Sequence, residues 1–148
     1  MDLKSKIFRF GEDHLTAGIA LALVRGKING RLTKESRIKI AASQKIVANI
    51  VEKGDPVYGI NTGFGPLCTT IISKSETKIL QSNILKSHSV GVGDPIAVEI
   101  AKLMMILKVQ AVAKGFSGVA ETTLDRILWH LENDAIPVVP SQGSVGAS

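Results

Sequence analysis

The sequence has little of what several classes of protein depend on. Its one cysteine, Cys68, excludes a disulfide within the chain and fits a reducing cytosol. Aromatic residues make up only 4% of the 148 residues, which argues against a surface that stacks nucleobases. The longest apolar stretch, residues 95–113, is interrupted by Glu99, Lys102 and Lys108, so no membrane helix is expected.

The charge pattern gives no specific partner. The net charge is +5 and the pI about 9.5, but the basic residues are scattered from Lys4 to Arg126 and form no run. This distribution predicts a solvated surface and no nucleic-acid interface. The charged opening "MDLKSKIFRFGEDH" has no apolar segment of the kind that a signal peptide needs. We therefore expect a soluble, cytoplasmic protein.

Metal and phosphate motifs are also missing. The sequence has no Gly-x-x-x-x-Gly-Lys-Ser/Thr loop, no His-Glu-x-x-His pair and no paired cysteines. His14 and His130 are isolated and fit surface or packing roles. We expect no bound metal.

The residues that are abundant indicate a mostly α fold with little β. Hydrophobic residues make up 45% of the chain, and nearly all are aliphatic or alanine. Capping and breaking signals predict a short strand before Gly11 and several helices. These are a strand over residues 3–10 and helices over 16–24, 33–53, 73–89, 95–113 and from Gly118 onward.

Two of these helices carry further predictions. In the second, Ile38, Ala42, Ile46 and Ile50 recur every four residues and predict a core stripe. In the fourth, Asp94 is expected as N-cap and Pro95 as the first helical residue. Residues 95–113 are apolar around most of the helix, which predicts burial on several sides and partner helices beyond this sequence.

Three segments do not fit a purely structural role. The first is "YGINTGFG", from Tyr58 to Gly65, whose three glycines predict unusual backbone angles around the only tyrosine of the chain. The second is "LQSNILKSHSVGVG", in which His88 lies near a helix C-terminus. Read alone, the first is better explained as a tight connector with a buried aromatic, and His88 as a residue that caps helix carbonyls.

The third segment is "PSQGSVGAS", Pro140–Ser148, nearly all of it small residues. It is either a flexible tail or a backbone suited to cyclisation. An Ala-Ser pair followed by glycine can fold onto itself, because the glycine nitrogen has no neighbouring Cβ and can attack the alanine carbonyl. Loss of the serine hydroxyl then leaves an exocyclic methylene, an electrophile that no ordinary side chain provides.

In their order and separations, "YGINTGFG", "LQSNILKSH" with "GVG" behind it, and "GSVGAS" resemble the aromatic amino acid ammonia-lyases that carry a methylidene-imidazolone group. The histidine-specific members of that family are the most similar. The resemblance implies the N-terminal part of a large helical-bundle fold of the fumarase/aspartase type. It also implies that residues 1–148 are the N-terminal portion of a single larger subunit, cut within the Ala-Ser-Gly motif.

The resemblance assigns roles to six residues. Ala147 and Ser148, with a following glycine, would form the 4-methylidene-imidazol-5-one autocatalytically, and Ser148 would supply its methylene carbon. Tyr58 would be the base for the β-proton; a phenol is a weak acid, so the site must favour its phenolate. Gly65 would let the backbone approach the substrate, and Ser87 and His88 would read the substrate side chain.

The implied reaction is elimination of ammonia from L-histidine to give trans-urocanate, the first step of histidine degradation, in a homotetramer. The Ser87-His88 pair indicates histidine, but some tyrosine-using relatives carry the same pair. The motif "GFGPLC" also differs from the commoner "GFGKLA" of histidine lyases at Pro66 and Cys68. A tyrosine ammonia-lyase or aminomutase of the same family therefore stays open. So does a different class, a non-catalytic basic helical binding module.

Overall fold

The computed structural model describes residues 7–63, 65 and 70–143. The chain divides into two compact units, one formed by residues 1–44 and 95–139 and the other by 45–94 and 140–148. The described residues contain five helices and two pairs of short strands. The prediction of a mostly α fold with little β is confirmed.

The elements follow one another in a regular order along the chain. They are β1 (Ile7–Phe10), α1 (Ala17–Val24), β2 (Asn29–Leu32), α2 (Lys34–Lys53), α3 (Lys74–His88), β3 (Gly91–Pro95), α4 (Val98–Val112), α5 (Glu121–Glu132) and β4 (Pro140–Gly143).

The core of the first unit forms around a parallel β1–β2 pair that is joined through α1. Phe10 lies opposite Leu32 in this pair, and both side chains are buried. Phe8 and Phe10 meet edge to face, with ring centroids 5.4 Å apart. Helices α4 and α5 contribute the remaining wall of the core through Ile106, Val109, Ala113, Leu124 and Leu128.

Three of the predicted helix starts are confirmed, because each of these three has a side chain that satisfies a backbone N–H of the first turn. Thr16 accepts from the N–H of Ile19 and Thr33 from that of Ser36. Ser73 caps α3, accepting from the N–H of Glu76 at 3.3 Å while its hydroxyl contacts the Glu76 carboxylate at 2.5 Å. Helix α5 also forms as its apolar pattern predicts.

The predicted core stripe of α2 is wrong. Ile38 and Ile46 are exposed by 59% and 61%. The buried and partly buried residues of α2 lie instead on the face formed by Ser36, Ile40, Ser43, Val47 and Ile50. An α-helix has about 3.6 residues per turn, so a strict four-residue repeat drifts by about 40° at each step and leaves any single face. The observed spacing alternates between four and three residues and therefore stays on one side.

The predicted start of α4 is also wrong. Gly91 to Pro95 form strand β3, which pairs with β4, and the helix begins at Val98 with Ala97 as its N-cap. The fixed φ of proline suits an extended chain as well as a first helical turn. The N–H of Ile96 donates to the carbonyl of Val139 at 2.9 Å, which keeps this segment extended up to the helix.

Helix α4 is buried on one side within the first unit. Ala101, Ile106 and Val109 are buried, whereas the apolar side chains of Ile100, Met104 and Leu107, on another face, are about half exposed. The sequence predicts burial of this helix on several sides. Among the described residues, only one side is buried. Within the described part of the chain, no helix is both long and apolar enough to span a membrane.

A glutamine of α4 holds the turn after β1. The N–H of Gly11 donates to Oε1 of Gln110 at 2.9 Å, and Nε2 of Gln110 donates to the carbonyl of Asp13 at 3.0 Å. Gly11 has a φ of 83°, and a Cβ built there would lie 2.4 Å from the carbonyl oxygen of Ala113. Only glycine fits where this turn meets the end of α4.

The same turn is tied to the start of α2. The Thr33 hydroxyl donates to the carboxylate of Glu12, and the Ser36 hydroxyl donates to the carbonyl of Phe10 at 2.7 Å. The hydrogen bond from Thr33 lowers the pKa of Glu12 below its ordinary value, and Ser36 acts in the same direction. The ionised carboxylate thus favours the folded arrangement of β1 and α2.

We predict that Gly11→Ala destabilises the protein by about 1–3 kcal/mol, because the new methyl group meets the Ala113 carbonyl at a strained φ. Gly18→Ala is the matched control. Gly18 lies in α1 with no atom within 4 Å of its Cβ position, so alanine there is expected to stabilise by about 0.5–1 kcal/mol. Denaturant unfolding of both variants tests this, and equal stability of the two would contradict it.

We predict that the stability difference between the wild type and Glu12→Gln depends on pH. The pKa of Glu12 is lowered in the folded state, so its contribution is present above the ordinary glutamate value of about 4.3 and is lost as the pH falls through the lowered value. Unfolding curves at neutral and at acidic pH should show the difference shrinking in acid. A difference that does not change with pH would refute the assignment.

Candidate functional site

Tyr58 lies at the corner of a tight turn in the second unit. The N–H of Ile60 donates to the carbonyl of Val57 at 3.1 Å, and Gly59, the third residue of the turn, has a φ of 80°. A positive φ at that position is what a type II turn requires, and glycine adopts it without strain. The Tyr58 side chain is 63% exposed. The turn therefore presents the phenol on the surface of the described chain.

The side chain of Asn61 closes the base of this turn. Its Oδ1 accepts from the N–H of Val57 and its Nδ2 donates to the carbonyl of Asp55, each at 2.8 Å. Asn61 itself is only 3% exposed. After it the chain forms an antiparallel bridge between Thr62 and Ile71, and the N–H of Ile72 donates to the Asn61 carbonyl at 2.9 Å.

Ser87 and His88 form the last turn of α3, as the sequence predicts. The Ser87 hydroxyl lies 2.9 Å from Nδ1 of His88 and 3.1 Å from the carbonyl oxygen of Ile84. Nδ1 of His88 also lies 3.0 Å from that same carbonyl. Three polar groups therefore converge in the last turn of the helix.

This contact favours one tautomer of a neutral His88. A carbonyl oxygen can only accept, so a nitrogen 3.0 Å from it must carry the hydrogen. The Nδ1–H then donates to Ile84 and to the Ser87 oxygen, while the Ser87 hydrogen is donated to Ile84. The lone pair of the imidazole is left on Nε2. The pair can thus recognise a substrate group that donates a hydrogen bond.

The strand pair β3–β4 brings two glycine-rich segments together. Pro140 lies against Gly91, where a Cβ would be 2.7 Å from the proline ring. A Cβ on Gly143 would lie 3.2 Å from the carbonyl oxygen of Val90, two residues after His88. The strand that leads into residues 144–148 therefore runs beside the segment that follows His88. No local signal in the sequence predicts this pairing.

The other site residues expected from the sequence are placed as follows. Gly65 is described, with a φ of 57° and no atom within 4 Å of its Cβ position. This is the left-handed region that glycine prefers. Ala147 and Ser148, together with Pro66 and Cys68, lie outside the described residues. Asn61 is the residue that sequence reasoning missed; an asparagine within a glycine-rich loop was its only signal.

Comparison with known proteins identifies the family. A family model described as aromatic amino acid lyase matches residues 15–148. The chain belongs to this family. It is 41% identical to a histidine ammonia-lyase of Burkholderia cenocepacia over 135 residues, which cover 91% of this chain and 27% of that protein. The chain thus spans about a quarter of the length of the curated relative.

Solved structures agree with this placement in the aromatic amino acid lyase family. A histidine ammonia-lyase from Trypanosoma cruzi matches with a TM-score of 0.82 and 33% identity, over 95% of this chain and 27% of that chain. A tyrosine aminomutase from Streptomyces globisporus matches with a TM-score of 0.86 and 29% identity, over 94% of this chain and 26% of that chain. The described helices and strands therefore have the fold of these lyases and aminomutases.

We predict that neutral His88 carries its proton on Nδ1. Nitrogen-15 NMR of histidine-labelled protein at mildly alkaline pH should show a protonated Nδ1 and an unprotonated Nε2. His130 is the matched control, because its Nδ1 lies 2.8 Å from the carbonyl of Ala135 and should show the same tautomer. A proton on Nε2 of His88 alone would contradict the geometry at the end of α3.

Proposed function

We propose that this chain is part of a larger cytoplasmic enzyme subunit, a carbon–nitrogen lyase that eliminates ammonia from L-histidine to give trans-urocanate. The observation that carries the proposal is the Ser87-His88 pair at the end of α3, in a chain 41% identical to a histidine ammonia-lyase. A neutral His88 offers an Nε2 acceptor, and the imidazole N–H of histidine is a suitable donor.

The proposed electrophile is the ring formed by Ala147, Ser148 and a following glycine; it activates the substrate amine as a leaving group. Ala147 and Ser148 lie outside the described residues, so the fit is supported by the strand that leads to them. Strand β4 is extended, and Gly143 lies tightly against the Val90 backbone. Such a close approach requires small residues. A ring made from backbone atoms also requires small side chains around it.

The remaining chemistry falls to the residues of the chain. The oxygen of ionised Tyr58 removes a proton from the substrate Cβ, so that the Cβ–H electron pair forms the Cα–Cβ double bond. The Cα–N bond breaks and nitrogen leaves as ammonia. Tyr58 holds the abstracted proton, and Ser87 keeps the His88 ring in the tautomer that orients the substrate. The exposed corner position of Tyr58 gives its oxygen room to meet a substrate.

A tyrosine-using enzyme, either an ammonia-lyase or an aminomutase, is the second candidate. It is supported by the TM-score of 0.86 to a tyrosine aminomutase and by the same Nε2 acceptor, because a phenol O–H also donates a hydrogen bond. Membership of a lyase family favours either enzyme over the basic binding module.

We include a homotetramer in the proposal. Apolar side chains of the described helices remain exposed, among them Ile38 and Ile46 of α2 and Met104 of α4. Exposed apolar area of this kind supports burial against further chain or further subunits. Sedimentation analysis of the complete protein tests the oligomeric state.

We predict that the complete protein converts histidine to a product that absorbs near-ultraviolet light. The proteolytic peptide spanning Ser148 should be lighter than its sequence by two waters, because cyclisation removes them. Ser148→Ala should abolish both the mass loss and turnover, while the conservative Ser89→Ala, just beyond α3, should change neither. A product from tyrosine but none from histidine would move the assignment to the second candidate. An unmodified peptide would favour the binding module.

A further inference from the structure

The turn that carries Tyr58 depends on one buried side chain. Asn61 is 3% exposed, although Tyr58, three residues earlier, is 63% exposed. The two hydrogen bonds of the Asn61 amide, both 2.8 Å long, reach the backbone of Asp55 and Val57. They hold the two residue positions that lead into Tyr58, and they do so from inside the loop.

The chemistry of this contact restricts which residue can make it. One backbone group is an N–H, which needs an acceptor, and the other is a carbonyl, which needs a donor. A neutral amide carries both functions on one planar group. Aspartate keeps the acceptor but sets a second acceptor against the Asp55 carbonyl. Alanine removes both functions and takes the Asn61 amide away from the Val57 N–H and the Asp55 carbonyl.

The backbone of Asn61 is anchored on its other side. Its carbonyl accepts from the N–H of Ile72, and the N–H of the neighbouring Gly63 donates to the carbonyl of Thr70 at 3.1 Å. The Asn61 amide therefore connects the exposed turn at Tyr58 to the segment that pairs with residues 70–72. Within the turn itself, the carbonyl of Val57 accepts from the N–H of Ile60 at 3.1 Å and from that of Asn61 at 3.3 Å.

We propose that Asn61 is a positioning residue for Tyr58, and that its amide fixes the turn so that the phenol oxygen reaches the substrate Cβ proton. This rests on the proposed function, in which Tyr58 is the base. Proton transfer requires the oxygen within hydrogen-bond reach of the proton. A displacement of about 1 Å can cost about a hundredfold in rate. Binding of the substrate side chain by Ser87 and His88 does not use this turn.

The test measures kcat and KM of the complete protein with Asn61→Ala and Asn61→Asp, normalised to the fraction of chains whose Ser148 peptide has lost two waters. We expect Asn61→Ala to lower the normalised kcat about 10- to 100-fold with little change in KM. Asn61→Asp, which keeps the acceptor for Val57, should lie between alanine and the wild type. A role in folding alone would lower the amount of competent enzyme and leave the normalised kcat unchanged.

Asn133→Ala is the matched control, because Asn133 also donates a 2.8 Å hydrogen bond to a carbonyl, that of Trp129, but in the first unit. It should keep the wild-type normalised kcat. An unchanged normalised kcat in Asn61→Ala, or an equal loss in Asn133→Ala, overturns the role of Asn61 while the lyase function stands. A wild type that turns over neither histidine nor tyrosine overturns the proposed function, and the role of Asn61 falls with it.

Discussion

The close backbone approach between β3 and β4 is the constraint on which the candidate site depends. It joins the segment after His88 to the strand that leads into residues 144–148, two parts of the chain far apart in sequence. The approach leaves space for almost no side chain, as the positions of Gly91 and Gly143 show. A Cβ at Gly91 would lie 2.7 Å from the Pro140 ring, closer than real carbon atoms approach one another. Glycine at position 91 is therefore a packing requirement, whereas a Cβ at Gly143, 3.2 Å from the Val90 carbonyl oxygen, would need only a small shift.

In each of the two units, the neutral amide of one side chain forms hydrogen bonds to a turn. Gln110 accepts from Gly11 and donates to Asp13 in the first unit. Asn61 accepts from Val57 and donates to Asp55 in the second. An amide satisfies a donor and an acceptor of the backbone without burying charge, and an unpaired buried group costs about 1–3 kcal/mol. Turns that deviate from regular structure can thus be held as firmly as a helix.

Local signals in the sequence were enough for most of the helices and for part of the site. Thr33 and Ser73 are caps whose hydrogen bonds lie within one helical turn, so the sequence predicts them well. The motif around Tyr58 and the Ser87-His88 pair are also short contiguous segments that the sequence displays, and their roles stay predictions. The placement of Ala147 and Ser148 stays a prediction.

What could not be predicted depends on contacts between distant residues. Asp94-Pro95 has the local features of a helix start, yet pairing with β4 makes it a strand. The inward face of α2 includes Ser36, whose hydroxyl is satisfied by the carbonyl of Phe10 at 2.7 Å. A pattern of apolar residues cannot show a buried serine, because its burial depends on a partner from another element. Asn61 was missed for the same physical reason.

His88 shows how a structural and a functional interpretation of one residue can both hold. In the sequence these were alternatives, a histidine that caps helix carbonyls or one that reads a substrate. The structure gives the capping contact to Nδ1, 3.0 Å from the Ile84 carbonyl. That same contact puts the lone pair on Nε2, because a neutral imidazole carries one proton. The contact with the Ile84 carbonyl thereby sets the hydrogen-bonding character of the proposed recognition group. Through this capping contact, the end of α3 would select a substrate that donates a hydrogen bond to Nε2 of His88.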